Sequence, residues 1–167
     1  MRADAQRNRA KVLSAAASAF ASGGFGVPLD EIAALAGVGP GTVYRHFPTK
    51  EALFQAVMEE RIASLIDFAS SSSADPGAAF FAFLGRIGEE AALKRDLSDA
   101  FVVPSDLQAR LHEAFNALLV RAQAAGAVRR DLEFPDLLAL LKGLLAGLAE
   151  TSRPERLLAV VMDGLRA

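Results

Sequence analysis

Apolar residues along this chain recur mostly at three- and four-residue intervals, the spacing that places them on one side of an α-helix. Val12, Leu13, Ala16 and Phe20 form the first such stripe, and runs of β-branched residues are few. The pattern predicts an all-α protein. The expected helices cover residues 3–22, 29–36, 40–47, 49–68, 76–93, 106–125, 135–150 and 154–165, and residues 94–103 are expected to be irregular or a short helix.

Breaking and capping residues set the ends of the second and third helices. Gly37 can supply the left-handed residue that ends a helix, and Pro40 suits the first turn of the next one. Pro48 ends the third helix, and Thr49 is a good N-cap for the fourth. Two short helices joined by a tight turn, the second rich in polar groups, indicate a helix-turn-helix DNA reader.

The stretch AGVGPGTVYRHFPTKEALF, residues 36–54, carries a more specific signal. It resembles the signature of TetR-family transcriptional regulators, whose pattern runs Ile-Ala, Ala-Gly-Val, Gly-Thr-x-Tyr, His-Phe and Lys-Glu-x-Leu. The matching residues are Ile32-Ala33, Ala36-Gly37-Val38, Gly41-Thr42, Tyr44, His46-Phe47, Lys50-Glu51 and Leu53. The resemblance implies an N-terminal three-helix DNA-binding domain over residues 1–48. It also implies a C-terminal helical bundle over residues 49–167 for ligand binding and dimerisation.

Phosphate contacts are expected from polar residues in and just after the third helix. Tyr44 and His46 can donate hydrogen bonds to phosphate oxygens, and the matching residues of the family contact the DNA backbone. Lys50 is the third such match, and it stands at a helix N-terminus, where anions are favoured. Val43 and Phe47 are expected in the core.

Base contacts are expected from the start of the third helix and from one arginine. Thr42 can hydrogen-bond a base or press its methyl group on thymine, and Arg45 can grip guanine with two hydrogen bonds. For Arg45 a phosphate contact or plain solvation is equally open. Pro40 and Gly41 offer shape and apolar contact only. Pro28 departs from the family, which often has Ser or Thr there as a cap and phosphate contact.

The charge distribution changes the picture that the net charge of −2 gives. Residues 1–50 hold six basic and three acidic side chains, whereas residues 51–167 hold twelve and seventeen. A mildly basic head on an acidic body is predicted. Such a head contacts few phosphates per subunit, so dimerisation is needed for useful affinity. Arg7 and Arg9 could approach a phosphate, or form a solvated face of the first helix.

Several protein classes are excluded by what the sequence lacks. Without cysteine, disulfides and thiolate metal sites are impossible. His112-Glu113 is not followed by a second histidine, so the zinc-protease pattern fails, and no serine elbow or Gly-rich loop after a strand occurs. We therefore predict a protein that is not an enzyme and has no metal or cofactor. An N-terminus without an apolar signal segment, and apolar runs too short to span a bilayer, predict a cytoplasmic location without membrane contact.

Surplus apolar surface near the C-terminus predicts a homodimer. The helix over 135–150 is apolar on most of its circumference, which one intramolecular face cannot explain. Gly143 and Gly147 would allow close approach of a second helix, and the family builds its dimer from its last two long helices. Alternatively, this is simply the central helix of the domain. The expected interface residues are Leu137, Leu141, Leu144, Leu148, Leu158 and Val161.

A ligand cavity is implied by the resemblance, with the fourth helix coupling it to the DNA-binding head. The phenylalanines of the C-terminal part are the candidate lining, although phenylalanine at helical spacing suits an ordinary core equally well. Few polar groups lie among them, so a small, largely hydrophobic effector is expected. The candidates are Phe80, Phe83, Phe101 and Phe115.

Together these features predict a homodimeric transcriptional repressor that binds a palindromic operator in double-stranded DNA and leaves it when a ligand binds. The alternative is a helical DNA-associated protein that binds DNA non-specifically or recruits a protein partner. The thin set of base-reading residues and the acidic body motivate that alternative.

Overall fold

The computed structural model describes residues 2–71, 73–93 and 103–167, and these form an all-α fold. Each predicted helix is confirmed to within two residues at either end. Residues 94–102, for which an irregular segment or a short helix was expected, lie outside the described part. The helices are α1 (Arg2–Gly23), α2 (Leu29–Ala36), α3 (Pro40–His46), α4 (Lys50–Ser70), α5 (Pro76–Leu93), α6 (Ser105–Ala124), α7 (Phe134–Glu150) and α8 (Pro154–Leu165).

Local capping explains why the helices begin and end where they do. The Thr49 hydroxyl oxygen accepts a hydrogen bond from the Ala52 amide at 3.1 Å, and the Asp75 carboxylate accepts one from the Ala78 amide at 2.9 Å. Both contacts satisfy amides that a helix start leaves without an intrahelical partner. Gly126, just beyond α6, has a φ of +74°, the left-handed conformation expected of a helix stop.

The chain divides into two compact units, and the first contains residues up to 61. Its core joins one face of α1 to α2, α3 and the first half of α4, with Val12, Ile32, Val43 and Leu53 fully buried. The boundary between the units therefore falls inside α4, whereas the sequence prediction placed the domain boundary before it. A short 3₁₀ helix (Gly24–Gly26) follows α1 and presents Phe25 to the rings of Phe20 and Phe54.

The second unit contains the end of α4 together with α5 to α8. Its core is centred on aromatic rings from α5 and α6, with Phe83 and Phe115 4.8 Å apart between ring centroids. The last turn of α4 is fixed in this unit by three contacts. The Phe68 ring stacks on Phe83 and lies under the Arg86 guanidinium, and Arg121 donates a 2.6 Å hydrogen bond to the Ala69 carbonyl oxygen.

A short backbone pairing, absent from the sequence prediction, joins the C-terminus to the loop after α6. Val128 and Arg166 form an isolated antiparallel β-bridge, and the Arg129 amide donates to the Leu165 carbonyl oxygen at 3.1 Å. In the same loop the Arg129 guanidinium pairs with Asp131. The pairing fixes the end of α8 to the loop that follows α6. Among the described helices, none is both long and apolar enough to cross a membrane.

Candidate nucleic-acid interface

The turn between α2 and α3 has the geometry that its glycine predicts. Gly37 adopts a φ of +66° and donates its amide hydrogen bond to Ala34, while the Val38 amide donates to the Ala33 carbonyl oxygen at 3.1 Å. Both bonds satisfy carbonyl groups at the end of α2. The chain then extends through Gly39, and α3 begins at Pro40. This turn fixes α3 relative to α2 within the first unit.

One face of α3 is buried, and this decides which side chains remain free. Val43 has no exposed surface, Phe47 is buried just beyond the helix, and the Phe47 amide donates to the Val43 carbonyl oxygen at 2.8 Å. The prediction that these two residues belong to the core is confirmed. The candidate DNA contacts therefore occupy the rest of the circumference. Pro40, Gly41, Tyr44 and Arg45 are exposed, and Thr42 and His46 are half-buried.

Gly41 stands on the exposed face without a structural reason to be glycine. A Cβ built at this position would meet no atom within 4 Å, and its φ is not positive. Glycine in a helix interior lowers stability by roughly 0.5–1 kcal/mol relative to alanine, and Gly41, the second residue of α3, carries a part of that cost. Gly41 is therefore not required by packing within the protein. The space left by its absent side chain is open to a molecule that binds to this face of α3.

Lys50 is the candidate phosphate contact whose side chain has a partner within the protein. Its ammonium group donates a hydrogen bond to the Phe25 carbonyl oxygen at 2.9 Å and lies 5.2 Å from the centroid of the Phe25 ring. The contact joins the start of α4 to the 3₁₀ helix after α1. No local pattern predicts this contact, because the two residues are 25 positions apart. Its role as a phosphate contact remains a prediction.

The basic residues of α1 separate into two kinds. Arg7 forms an exposed ion pair with Asp4, and the Asp4 carboxylate weakens the attraction of Arg7 for a DNA phosphate. Arg9 instead places its guanidinium 5.5 Å from the centroid of the Phe47 ring, directly after α3. Arg9 therefore places a positive charge at the C-terminal end of α3. Of the two arginines that the sequence suggested, the structure brings Arg9 to the helix-turn-helix.

The phenylalanine candidates for ligand binding belong to the core of the second unit. Phe80, Phe83 and Phe115 are buried, with the Phe80 and Phe115 rings 6.0 Å apart and the Phe134 ring also against Phe115. Their rings fill the space between the helices themselves, which corrects the expectation that they line an open cavity. Phe101, the fourth candidate, lies outside the described residues.

An apolar groove of about 350 Å³ opens elsewhere in the same unit, along α5 and α8. It is lined by Gly85, Gly88, Glu89, Leu148, Pro154, Glu155, Leu158, Ala159 and Met162. Aromatic residues do not indicate this groove. Its space is open because Gly85 and Gly88 of α5 have no side chains to fill it.

The predicted dimer residues divide between the core and the surface. Leu137, Leu144 and Leu148 are buried inside the unit, so the expectation that they face a second copy is corrected. Leu141, Leu158 and Val161 are half-buried. The side chains with most free apolar area on α7 and α8 are Leu140 and Val160, the latter 63% exposed. The sequence could not distinguish the inner from the outer leucines, since nearly every position of α7 is apolar or small.

Comparisons with known proteins agree with this architecture at both ends of the chain. Residues 12–57 match the family described as bacterial regulatory proteins of the tetR family, and residues 75–167 match the C-terminal domain of SbtR-like transcriptional regulators. The HTH-type transcriptional regulator UidR of Escherichia coli is 39% identical over 59 residues. That alignment spans 35% of this chain and only 30% of the curated relative.

Solved structures extend the likeness to the whole chain. A TetR transcription regulatory protein from Mycobacterium vanbaalenii is 42% identical with a TM-score of 0.78, covering 99% of both chains. A TetR transcriptional regulator from Streptomyces coelicolor is 34% identical with the same TM-score, covering 95% of this chain and 98% of that one. With a helix-turn-helix at one end and a matching regulatory C-terminal domain at the other, this chain belongs to the TetR family of transcriptional regulators.

Proposed function

We propose that this regulator is a homodimeric repressor that reads its operator with α3 and releases it when a small, largely hydrophobic ligand binds. The observation that carries the proposal is the division of α3 into two faces. Val43 and Phe47 fix the helix to the core, while Tyr44 is 47% exposed and Pro40, Gly41 and Arg45 are exposed beside it. A helix held in this way can enter a major groove with its polar face outward.

Phosphate contacts come from the ends of α3 and the residues around it. Tyr44 donates through its hydroxyl group and His46 through a ring N–H, and Arg9 adds charge from its position over Phe47. Lys50 contributes mainly by fixing the start of α4, because its ammonium group is already hydrogen-bonded to Phe25. These contacts place the head on DNA without selecting a sequence.

Base reading comes from Thr42 and Arg45, with Pro40 and Gly41 providing close approach. The guanidinium of Arg45 can make two hydrogen bonds to guanine, and the Thr42 methyl group can contact thymine. Gly41 removes a side chain where the backbone would come nearest to the bases. Two side chains per head give limited discrimination, so a second head is needed for a specific site.

A homodimer would supply that second head through the outer sides of α7 and α8. Ala139, Gly143 and Ala146 are exposed and follow each other at helical spacing along α7, so two copies of this helix could approach closely. Leu140 and Val160 add larger apolar side chains at the margins. A two-fold dimer presents its heads to half-sites about 34–36 Å apart, which explains the expected palindrome.

Ligand release would act through α4, whose first residues belong to one unit and whose last turn is fixed in the other. Phe83, Arg86 and Arg121 all contact the last turn, so a shift of α5 or α6 would change the position of α4. A ligand that binds better to a state with wrongly spaced heads lowers DNA affinity by shifting the population toward it.

The proposal is tested by selecting bound duplexes from a random pool with the full chain. We expect enrichment of a palindrome and an affinity that falls steeply with salt. Recovery of sequences without a shared site would contradict specific reading and favour a non-specific DNA-associated protein.

The dimer is tested separately by sizing the Val160→Glu variant at micromolar concentration. This change should yield monomers, because it places a charge in the proposed interface. Val120→Glu is the matched control, since Val120 is 56% exposed and lies on α6, which is not part of the proposed interface. Equal sizes for wild type and Val160→Glu would contradict the proposed interface.

A further inference from the structure

The groove along α5 and α8 has acidic residues at one end and an apolar lining along the rest of its length. Three contacts give the register of the two antiparallel helices. Arg166 lies over the Phe81 ring, a Cβ on Gly85 would be 3.9 Å from the Met162 methyl carbon, and one on Gly88 would be 3.4 Å from a Leu158 methyl carbon. The register continues toward Glu89 on α5 and Glu155 on α8, which both line the groove. The two carboxylates therefore stand at the same end.

The remaining lining is apolar and lacks a counter-charge for these carboxylates. Among the described residues that line the groove, none is a lysine, an arginine or a histidine. Arg153 and Arg156 flank Pro154 and Glu155 in sequence but do not line the groove, and two cations farther along the register are held by other groups. Arg86 lies over the Phe68 ring at 4.1 Å, and Arg166 covers the Phe81 ring at 4.3 Å and is ion-paired with Asp163. The groove is thus negative at one end only.

The floor of the groove is open because α5 carries glycine at two positions one turn apart. Gly85 and Gly88 present no side chain to α8, while Leu158 and Met162 form the opposite wall. Methionine is unbranched and adapts to varied shapes. A volume of about 350 Å³ is within the range of small-ligand sites.

A dimer formed as proposed would leave this groove free. Successive residues of a helix are about 100° apart, so Val160 lies about 160° around α8 from both Leu158 and Met162. The proposed contact with a second copy therefore uses the opposite side of α8. The groove wall formed by Leu158 and Met162 is therefore separate from the centre of the interface, while Ala159 of the lining lies about 100° from Val160.

We propose that this groove is the effector site and that its ligand is an organic cation: a small apolar body carrying an ammonium or guanidinium group at one end. The inference rests on the proposed function only in calling the ligand an effector, that is, a compound whose binding lowers DNA affinity. The apolar body packs against Leu158 and Met162 above the two glycines, and the cationic group meets Glu89 and Glu155. The reverse orientation would separate the cationic group from Glu89 and Glu155, the two acidic residues of the described lining.

The test uses three probes of similar size that differ in charge: 4-phenylbutylammonium, 4-phenylbutanol and 5-phenylpentanoate. Each is titrated calorimetrically into the full chain without DNA. We expect the ammonium compound to bind about tenfold more tightly than the alcohol, since two exposed ion pairs each contribute modestly, and the carboxylate to bind most weakly. An alcohol that binds as tightly as the ammonium compound would overturn the assignment of charge.

Two pairs of variants locate the site. Glu89→Gln and Glu155→Gln should each weaken ammonium binding about threefold and leave alcohol binding unchanged. The control is Glu113→Gln, an exposed carboxylate of α6 outside the groove. Gly85→Leu should fill the floor and abolish binding of both compounds, with circular dichroism as the check on folding. Ala159→Phe fills the groove from α8 and provides the same test if Gly85→Leu does not fold.

Three results would overturn the inference. Binding that survives both filling variants places the ligand elsewhere, and glutamine variants that behave like Glu113→Gln remove the carboxylates from the site. Filling variants that change the oligomeric state would show that the groove is a contact between copies.

The effector role has its own measurement, which is kept apart from DNA binding as such. The ammonium compound should lower affinity for the selected operator in the wild type but not in Gly85→Leu. A chain that binds its operator and ignores the compound overturns this inference alone. A chain that binds the compound but selects no DNA sequence overturns the proposed function alone. Binding without DNA release overturns the assignment of the groove as the effector site.

Discussion

The ammonium group of Lys50 is hydrogen-bonded to the carbonyl oxygen of Phe25 at 2.9 Å and lies over the ring of the same residue. A lysine that matches a phosphate contact of the family is thus also a structural contact within the head. The two roles have different consequences for a substitution, because loss of a phosphate contact changes the salt dependence of binding whereas loss of an internal contact changes stability.

Replacing Lys50 with methionine separates these roles. We expect the free energy of unfolding to fall by about 1 kcal/mol, since a partly exposed hydrogen bond from a charged donor is lost. The slope of DNA affinity against salt should stay nearly the same. Urea unfolding and a salt titration measure the two effects, with Lys11→Met as the control on α1. A slope that falls by about one with unchanged stability would assign Lys50 to phosphate binding instead.

Gly41→Ala should move stability and DNA binding in opposite directions. Alanine favours the helix by up to roughly 0.5 kcal/mol at this first-turn position, and its Cβ meets no atom of the protein within 4 Å. The variant should therefore unfold at higher urea concentration and bind the selected operator less tightly. Ala117→Gly is the reverse control, because Ala117 is exposed on α6, outside the head and the proposed interface, so it should lower stability without changing operator affinity. Unchanged operator affinity in Gly41→Ala would remove this residue from the interface.

Arg121 should stabilise the second unit through the end of α4. Its guanidinium donates to the Ala69 carbonyl oxygen at 2.6 Å, one of the carbonyl groups that a helix end leaves unpaired. We expect Arg121→Gln to lower the free energy of unfolding by about 1–2 kcal/mol. Arg110→Gln, an exposed arginine three turns earlier on α6, should change it much less. Equal midpoints in urea for the two variants would show that the contact does not stabilise the unit.

The ion pair between Asp131 and Arg129 makes a small contribution to stability that is lost in acid. The hydrogen bonds from Arg129 lower the pKa of Asp131 from 3.8 to about 2. Because the folded-state pKa is depressed, the contribution is complete above the unfolded pKa and is lost as the pH falls from about 4 toward 2. Thermal unfolding of wild type and Asp131→Asn should differ slightly at pH 6, and the difference should shrink below about pH 4 and vanish only below about pH 2. High salt should reduce it, since the pair is exposed. A difference that grows in acid would contradict this assignment.

The positions of the helices could be predicted because each end has a local cause. Gly37, Thr49, Asp75 and Gly126 act on the backbone next to them, so sequence alone locates them, and the buried face of α3 followed from its spacing of apolar residues.

Other features depend on contacts between residues far apart in the chain. The partner of Lys50, the pairing of Val128 with Arg166 and the inward side of α7 have no local signal. The groove escaped prediction for a related reason, since it arises where the side chains of Gly85 and Gly88 are missing.

The contact of α3 with DNA is tested most directly by measuring the affinity of wild type, Tyr44→Ala and Leu35→Ala for the selected palindrome and for a duplex of unrelated sequence. Leu35 is the control, because it is an exposed apolar side chain of the same head but lies on α2. We predict that Tyr44→Ala weakens binding to both duplexes by about five- to tenfold, as expected for loss of a backbone contact, and that Leu35→Ala changes neither. Full affinity in Tyr44→Ala would contradict the placement of α3 on DNA.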